Sequence, residues 1–127
     1  MCGIAGAHRS AWDVGAALAR IRHRGPDGSG TAQEGATVHG HVRLALLDLT
    51  DASAQPFRYR DGLLTFNGEV WNYRELRDEL RALGHEFRTT GDTEVLAAAL
   101  SQWGVAALHR PEGMRAFAWT RGVLSML

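Results

Sequence analysis

The sequence predicts an α+β fold in which antiparallel β-sheets are flanked by helices. Its length of 127 residues fits one domain, and 45% apolar with 22% charged residues is typical of folded chains. Short runs rich in Val and Leu are separated by Gly-rich turns, a pattern that predicts strands. Two segments of the second half place apolar residues at the spacing of a helix face. We therefore expect one folded domain that contains both kinds of element.

The charge and cysteine content exclude several classes of function. The 14 basic residues, all of them Arg, balance 14 acidic residues, so the chain lacks the basic excess of a nucleic-acid-binding protein. No apolar run approaches the ~20 residues of a membrane span, and we expect no membrane partner. The single cysteine, Cys2, rules out an intramolecular disulfide and a Cys-based zinc site. These features favour a cytoplasmic protein.

Strands and one helix are predicted in the first half of the chain. Residues 4–7 form a short apolar run typical of a strand, and Asp13 precedes a helix whose apolar residues are Val14, Ala17, Leu18 and Ile21. Residues 24–30 contain one proline and three glycines and predict a loop. The runs 36–41 and 43–49 predict two adjacent strands or one bulged strand, and residues 63–66 predict another.

The second half carries the clearest helical patterns. Asn72 and Glu75 have the spacing of a capping box, before a helix that ends at Gly84 and whose apolar face comprises Leu76, Leu80 and Leu83. A second helix is predicted from Asp92 to Trp103, with Gly104 as its stop. Residues 116–119 and 123–127 predict two final strands.

The position of the only cysteine points to a nucleophile. Removal of the initiator methionine would make Cys2 the N-terminal residue, so a thiol and a free α-amine would share one residue. An α-amine has a reference pKa of ~7.7–8.0, which suits a general base that activates a thiol near neutral pH. A small apolar cysteine in a strand is the alternative when this residue is judged alone.

Six sequence blocks extend the argument to the whole chain: Met1–Gly6, Arg22–Asp27, His41–Leu44, Gln55-Pro56, Asn67–Asn72 and Gly91–Glu94. In this order and spacing the chain resembles the glutaminase domain of asparagine-synthetase-like class II glutamine amidotransferases, which belong to the N-terminal-nucleophile hydrolases. The resemblance covers residues 1 to about 119, and the Arg-Gly-Pro-Asp tract at 24–27 points to the asparagine synthetase branch. It implies an αββα sandwich, here shortened at the C-terminus.

The resemblance implies a catalytic role for three residues. Cys2 would attack the side-chain amide of glutamine, form a thioester and release ammonia, with its own α-amine moving the proton. The Asn67 side-chain amide and the Gly68 backbone N–H would form the oxyanion hole. Considered alone, an Asn-Gly dipeptide is more typical of a hairpin turn.

The resemblance also implies residues that bind the substrate. Arg43 would hold the α-carboxylate of glutamine through a bidentate fork, whereas Glu69 and Asp92 would receive its α-ammonium group. Leu46 and Leu47 are expected in the core, although the family places backbone groups of this segment, with Leu47 among them, beside the substrate. Asp92 has an equally good explanation as a helix N-cap, which does not exclude a ligand role.

The implied function is ammonia supply from glutamine for an asparagine-synthetase-type amidation, with no cofactor in the glutaminase step. The alternative is an inactive remnant or regulatory module that binds glutamine or a synthetase partner without turnover. His23, His41 and His85 match no metal-binding motif, and we expect them in core or surface roles.

Departures from the family pattern bear on domain organisation. The Ser-Gly-Gly-x-Asp-Ser pyrophosphate loop of the synthetase domain is absent, Arg115 replaces the usual Phe, and Thr120–Gly122 replaces the usual turn. Residues 1–127 would thus form a glutaminase domain that is incomplete at its C-terminal end and has no synthetase domain. An exposed sheet edge is expected beyond residue 119, which favours a homodimer or a synthetase partner.

Overall fold

The computed structural model describes residues 1–122 and 124–126, and these form two antiparallel sheets with helices packed on them. Along the described residues, strands and α-helices follow one another in the order β1, α1, β2, β3, β4, β5, α2, α3, β6 and β7. The α+β class predicted from the sequence is confirmed.

The N-terminal sheet consists of β1 (Gly3–His8), β2 (Gly28–Glu34) and β3 (Thr37–Arg43), in the spatial order β1-β3-β2. Gly35, at φ 55°, turns the chain between β2 and β3, a left-handed conformation that glycine adopts without strain. β1 pairs with β3 so that Gly3 lies opposite Val42. This register brings Cys2 next to the C-terminal end of β3.

The C-terminal sheet consists of β4 (Phe57–Tyr59), β5 (Gly62–Val70), β6 (Gly113–Arg121) and β7 (Leu124–Met126), in that spatial order. β5 and β6 pair over their whole length, from Gly62 opposite Arg121 to Val70 opposite Gly113. β7 pairs with residues 119–121 of β6, so these residues have a strand on both sides. Val123 and Leu127 of the predicted last strand lie outside the described residues.

Helix α1 (Val14–Arg20) covers one face of the N-terminal sheet. Asp13 caps it, because its carboxylate accepts an N–H of the first turn at 2.9 Å. Val14 and Leu18 are the buried residues of the helix. Gly40 of β3 allows the close approach of helix and sheet, since a Cβ there would lie 2.5 Å from a methyl carbon of Val14.

Helix α3 (Asp92–Trp103) covers the C-terminal sheet, and helix α2 (Tyr73–Ala82) packs on α3. Leu76 and Leu80 form the buried side of α2. α3 lies between α2 and the sheet and is buried from Asp92 to Leu100. Burial of each leucine contributes ~1.5–3 kcal/mol, so packing stabilises helices that would be marginal alone. Among the described residues, no helix has the length and apolar character needed to cross a membrane.

A polar layer lies between the two sheets. His39 of β3 forms hydrogen bonds with the hydroxyls of Thr65 in β5 at 2.6 Å and Thr120 in β6 at 2.7 Å. His41 lies on the same face of β3, is fully buried, and has no hydrogen-bond partner for either ring nitrogen among the described residues. Burial lowers the pKa of His39 and brings the pKa of His41 to about 4. Both imidazoles are therefore neutral at pH 7.

Two boundaries of the sequence prediction are wrong. Residues 44–49 do not continue a strand, because β3 ends at Arg43 and the Arg43 side chain folds the following segment back on itself. The loop predicted over 24–30 ends at Asp27, because β2 begins at Gly28. Gly30 serves close packing within this strand, because a Cβ there would lie 2.7 Å from the Gln55 carbonyl oxygen.

The predicted helices α1, α2 and α3 are confirmed, but two details of α2 differ. Asn72 occupies the N-cap position without capping the helix, since its side chain donates to the Arg110 carbonyl at 3.0 Å and accepts the Glu112 N–H at 2.8 Å. A tertiary contact thus replaces the local capping box. Leu83 is 50% exposed because α2 ends before it and Gly84, at φ 90°, redirects the chain.

Candidate active site

All seven predicted site residues line one cavity of about 300 Å³. They come from four parts of the chain: its start, the end of β3 with the loop after it, the second half of β5, and the start of α3. The residues are Cys2, Arg43, Leu47, Asn67, Gly68, Glu69 and Asp92. Ligand pockets span roughly 300–1,000 Å³, so this cavity is small and suits a single amino acid better than a peptide.

The Cys2 thiol lies beside the residue that follows β3. Its Sγ accepts the Leu44 N–H at 3.2 Å and lies 3.4 Å from the Leu44 carbonyl oxygen. The Cys2 carbonyl accepts the Nε–H of Arg24 at 3.0 Å. Met1 also lines the cavity, and its peptide bond to Cys2 ties up the nitrogen that would be the α-amine of Cys2. Removal of Met1 would therefore free the α-amine and enlarge the cavity together.

Asn67 and Gly68 lie within β5, where they pair with β6, so the hairpin-turn interpretation of this dipeptide is wrong. A Cβ at Gly68 would lie 2.1 Å from the Met114 carbonyl oxygen in β6. Only glycine fits at this position without moving the backbone of β6. The strand pairing thus places Asn67 and Gly68 at the cavity.

The side chain of Arg43 organises the segment that follows it, residues 44–50, which we name the 44–50 loop. The guanidinium donates to the carbonyl oxygen of Asp48 through Nη2 and to that of Thr50 at 2.9 Å through Nη1. A guanidinium has five N–H donors, so these two bonds leave donors for a ligand in the cavity.

Asp92 and Glu69 place two carboxyl groups at the cavity. Asp92 is buried, and its Oδ2 accepts the Val70 N–H at 2.9 Å. Burial raises the pKa of Asp92, and the neighbouring Glu69 carboxylate raises it further, while backbone N–H groups act in the opposite direction. A cation bound here would relieve this repulsion. The N-cap interpretation of Asp92 is wrong, because Gly91 holds that position in α3.

The expectation of a core position for Leu46 and Leu47 is wrong. They are 59% and 51% exposed, because they lie in the 44–50 loop and not in a strand. Both line the mouth of the cavity, and Met114 of β6, 63% exposed, also lines it. The apolar pattern that predicts a buried strand here marks an apolar rim instead.

Several residues that line the cavity were not predicted as site residues, among them Asp48, Ser53, Gln55 and Thr93. Gln55 had a signal, since it belongs to one of the six sequence blocks, and its Oε1 accepts the Phe66 N–H at 2.6 Å. Nothing local in the sequence marks Asp48 or Ser53. Their place at the cavity depends on the path of the 44–50 loop and the turn that follows it.

The three histidines considered as metal ligands lie in different surroundings. His23 is exposed, His41 lies between the sheets, and His85 is buried with hydrogen bonds to the Tyr59 hydroxyl at 2.5 Å and the Gln102 side chain at 2.7 Å. In the part of the chain that the structure describes, no three His, Cys, Asp or Glu side chains are grouped as metal ligands would be.

Fold and site together define a class of protein. Two antiparallel sheets between helices, with a cysteine at the start of the chain in a cavity that β3 and β5 also line, form the architecture of the N-terminal-nucleophile hydrolases. The chain belongs to the family described as "Glutamine amidotransferase domain", which matches residues 1–126. The resemblance seen in the sequence blocks is confirmed.

Among the similar proteins are asparagine synthetases and one solved amidotransferase. A "Putative asparagine synthetase (glutamine-hydrolyzing)" of Mycobacterium tuberculosis is 43% identical over 122 residues, covering 84% of this chain and 19% of that protein. A "Probable asparagine synthetase (glutamine-hydrolyzing)" of Schizosaccharomyces pombe is 37% identical, covering 94% and 22%. The solved glutamine phosphoribosylpyrophosphate amidotransferase of B. subtilis superimposes with a TM-score of 0.73 at 25% identity, covering 94% of this chain and 34% of that one. The chain spans about a fifth of the curated relatives it matches.

Proposed function

We propose that the chain hydrolyses the side-chain amide of free glutamine to glutamate and ammonia, for an asparagine-synthetase-type amidation. The observation that carries this proposal is the single cavity lined by a thiol at residue 2, an Asn-Gly pair, one arginine and two carboxyl groups. The relatives named as glutamine-hydrolyzing asparagine synthetases favour this acceptor chemistry over other amidotransfer reactions.

Acylation would begin once Met1 has been removed. The α-amine of Cys2 takes the thiol proton, and the sulfur attacks the amide carbon of glutamine, so that a C–S bond forms and negative charge develops on oxygen. The Asn67 side-chain amide and the Gly68 N–H donate to that oxygen. Each such donor contributes ~10²–10³ in rate, because it is already oriented before the charge appears.

Product release completes the cycle with balanced protons. The α-ammonium of Cys2 returns its proton to the nitrogen of the tetrahedral intermediate, the C–N bond breaks, and ammonia leaves behind a thioester. Water then gives a proton to the α-amine and attacks the thioester carbon. The C–S bond breaks, the α-ammonium returns this proton to the sulfur, and glutamate departs, so that the thiol and the free α-amine are restored. The scheme uses no metal or cofactor, so we expect turnover to survive treatment with EDTA.

Substrate recognition would be ionic at both groups of the α-carbon. Arg43 pairs with the α-carboxylate through its remaining donors, and Glu69 with Asp92 accepts the α-ammonium. The backbone at Leu47 borders the same ligand. A glutamine within a peptide lacks both charges, so this arrangement selects the free amino acid.

The ammonia acceptor is a further part of the proposal. We expect a synthetase partner, either a separate subunit or a segment joined to this domain, and a homodimer is the other arrangement that would cover exposed sheet edges. Size-exclusion chromatography with light scattering measures the second arrangement. A monodisperse monomer at micromolar concentration would contradict the homodimer.

The decisive experiment combines intact-mass spectrometry with a glutaminase assay on one preparation. We expect the mass of the chain without Met1, together with release of glutamate and ammonia in equal amounts. Turnover by a chain that retains Met1 would overturn the mechanism. Glutamine binding without product by the correctly processed chain would instead support a regulatory binding module.

A further inference from the structure

We propose that Asp48 is a positioning residue that fixes the distance between the two ionic halves of the glutamine-recognition site. Arg43 and the 44–50 loop form one half, and Asp92 at the start of α3 forms the other. The inference rests on the proposed function, because it assigns a role in binding the same substrate.

The Asp48 carboxylate divides its two oxygens between two segments of the chain. Oδ1 accepts the Thr50 N–H at 2.9 Å and the Thr50 hydroxyl at 2.6 Å, both within the 44–50 loop. Oδ2 accepts the Thr90 N–H at 3.0 Å and the Thr90 hydroxyl at 3.3 Å, across the cavity rim. These hydrogen bonds hold the pKa of Asp48 well below its usual range. The side chain is thus a charged link between the loop and residues 88–91.

Residues 88–91 are themselves held by two helices. Glu94 of α3 is fully buried and accepts the Arg88 N–H at 3.0 Å, with the Thr89 N–H and hydroxyl at 2.7 Å each. Arg77 of α2 donates to the carbonyls of Thr89 at 2.9 Å and Gly91 at 2.7 Å. The segment that leads into Asp92 is therefore a fixed platform, against which Asp48 can hold the loop.

The loop lacks such support of its own. Its first residues are tied to the Asp27 carboxylate through the Ala45 N–H at 2.9 Å, and Arg43 binds two of its carbonyls. Among the described residues, the side-chain hydrogen bonds that join the loop to residues 88–91 all come from Asp48. The α-carboxylate and α-ammonium of glutamine share one carbon, so a change in the distance between Arg43 and Asp92 would weaken both contacts together.

The groups proposed for the chemistry are held apart from this link. The Cys2 thiol contacts the 44–50 loop at Leu44, directly after β3, where the Asp27 carboxylate fixes the next residue independently of Asp48. Asn67 and Gly68 lie in the β5–β6 ladder, and Gly3 next to Cys2 pairs with β3. Loss of the Asp48 link should therefore raise KM for glutamine and leave kcat nearly unchanged. A merely structural residue would lower stability or kcat without this split.

Asp48→Asn is the sharpest variant. An amide of the same shape can accept at one end only, and its NH₂ group would face N–H donors at the other end. Loss of charge-assisted hydrogen bonds of this kind corresponds to a rise in KM of about tenfold, with kcat within about twofold. Asp51→Asn, at an exposed residue of the same turn, is the matched control and should leave both constants unchanged.

Amide hydrogen exchange tests the same link without turnover. In Asp48→Asn, we expect faster exchange in residues 44–50 and at the Thr90 amide, and no change in β5. An unchanged KM, or unchanged exchange at Thr90, would overturn the proposal. If Asp48→Asn does not fold, exchange in the unmodified chain decides: L-glutamate should slow residues 44–50 and 89–91 together, and independent behaviour would contradict the link. An unmodified chain without glutaminase activity would contradict the proposed function, whereas the exchange result at Thr90 would stand by itself.

Discussion

The cavity has two sides that are built differently. On one side Asn67 and Gly68 belong to paired strands and Cys2 directly precedes one, and backbone ladder hydrogen bonds hold these strands. On the other side Arg43 and Asp92 lie at the ends of elements, and the segments next to them are held by side-chain hydrogen bonds from Asp48, Glu94 and Arg77. We refer to them as the strand side and the loop side.

The difference shows which groups at the cavity are held firmly and which depend on single side chains. Ladder hydrogen bonds are numerous and shared, so one substitution shifts a strand little, and the groups proposed for the chemistry stay oriented. Side-chain hydrogen bonds are few, so one substitution on the loop side moves a whole binding group. The comparison predicts that strand-side changes act on kcat and loop-side changes act on KM.

The largest effect is expected from Cys2→Ala, which should abolish glutamate release. Cys2→Ser should retain at most a trace, because an alkoxide is far harder to generate near neutral pH than a thiolate. A continuous assay of glutamate measures both variants. Turnover of Cys2→Ala equal to that of the unmodified chain would place the chemistry elsewhere and remove the basis of the comparison.

Asn67→Ala tests the strand side without touching the nucleophile. Removal of one oxyanion donor should lower kcat by ~10²–10³, with a KM change of less than about threefold. Steady-state kinetics at saturating glutamine measure the loss. A large increase in KM at an unchanged kcat would show that Asn67 contributes binding, and the division between the two sides would fail.

The polar layer between the two sheets makes the free energy of unfolding depend on pH. The pKa of His41 is about 4 in the folded chain against 6.5 as its ordinary value, so the unfolded state takes up the proton first as the pH falls. The free energy of unfolding is therefore unaffected by the protonation of His41 above pH ~6.5. It falls between pH ~6.5 and ~4, by roughly 3 kcal/mol at most. The raised pKa of Asp92 acts in the opposite direction at the acidic end of this range.

Urea unfolding at a series of pH values measures this loss. His41→Gln should flatten the decline in unfolding free energy between pH 6.5 and 4.5. His23→Gln, at an exposed histidine, is the control and should leave the curve unchanged. Identical curves for the unmodified chain and His41→Gln would show that the buried imidazole does not account for the acid sensitivity.

The smallest effect is expected from Arg43→Lys on the loop side. A lysine is a point charge and cannot reproduce the fork that holds two loop carbonyls and a carboxylate at once, so KM for glutamine should rise about tenfold with kcat nearly constant. An unaltered KM would remove Arg43 from substrate binding.

The residues proposed to touch the substrate could be predicted from the sequence on both sides, whereas the side chains that support the loop side could not. The Asn-Gly pair and the cysteine at position 2 each lie within one of the six sequence blocks, so the sequence around them is enough to identify them. Asp48 has no local signal, because the role proposed for it depends on its hydrogen bonds with Thr90, 42 residues away. The Leu-rich run before Asp48 misled the prediction, since an apolar rim and a buried strand share one composition.

The sequence by itself determined the fold class, the helices α1, α2 and α3, and seven of the residues that line the cavity. Periodicity and capping motifs encode the helices, because they depend on residues close together in the chain, whereas the seven cavity residues follow from the resemblance of the six sequence blocks to the family. Only the tertiary structure decided that Asn72 binds the backbone at 110 and 112 instead of capping its helix, that β3 stops at Arg43, and that His39 links the sheets through two threonines. Each of these contacts joins residues at least 26 positions apart or depends on a loop path, and no local pattern specifies such distances.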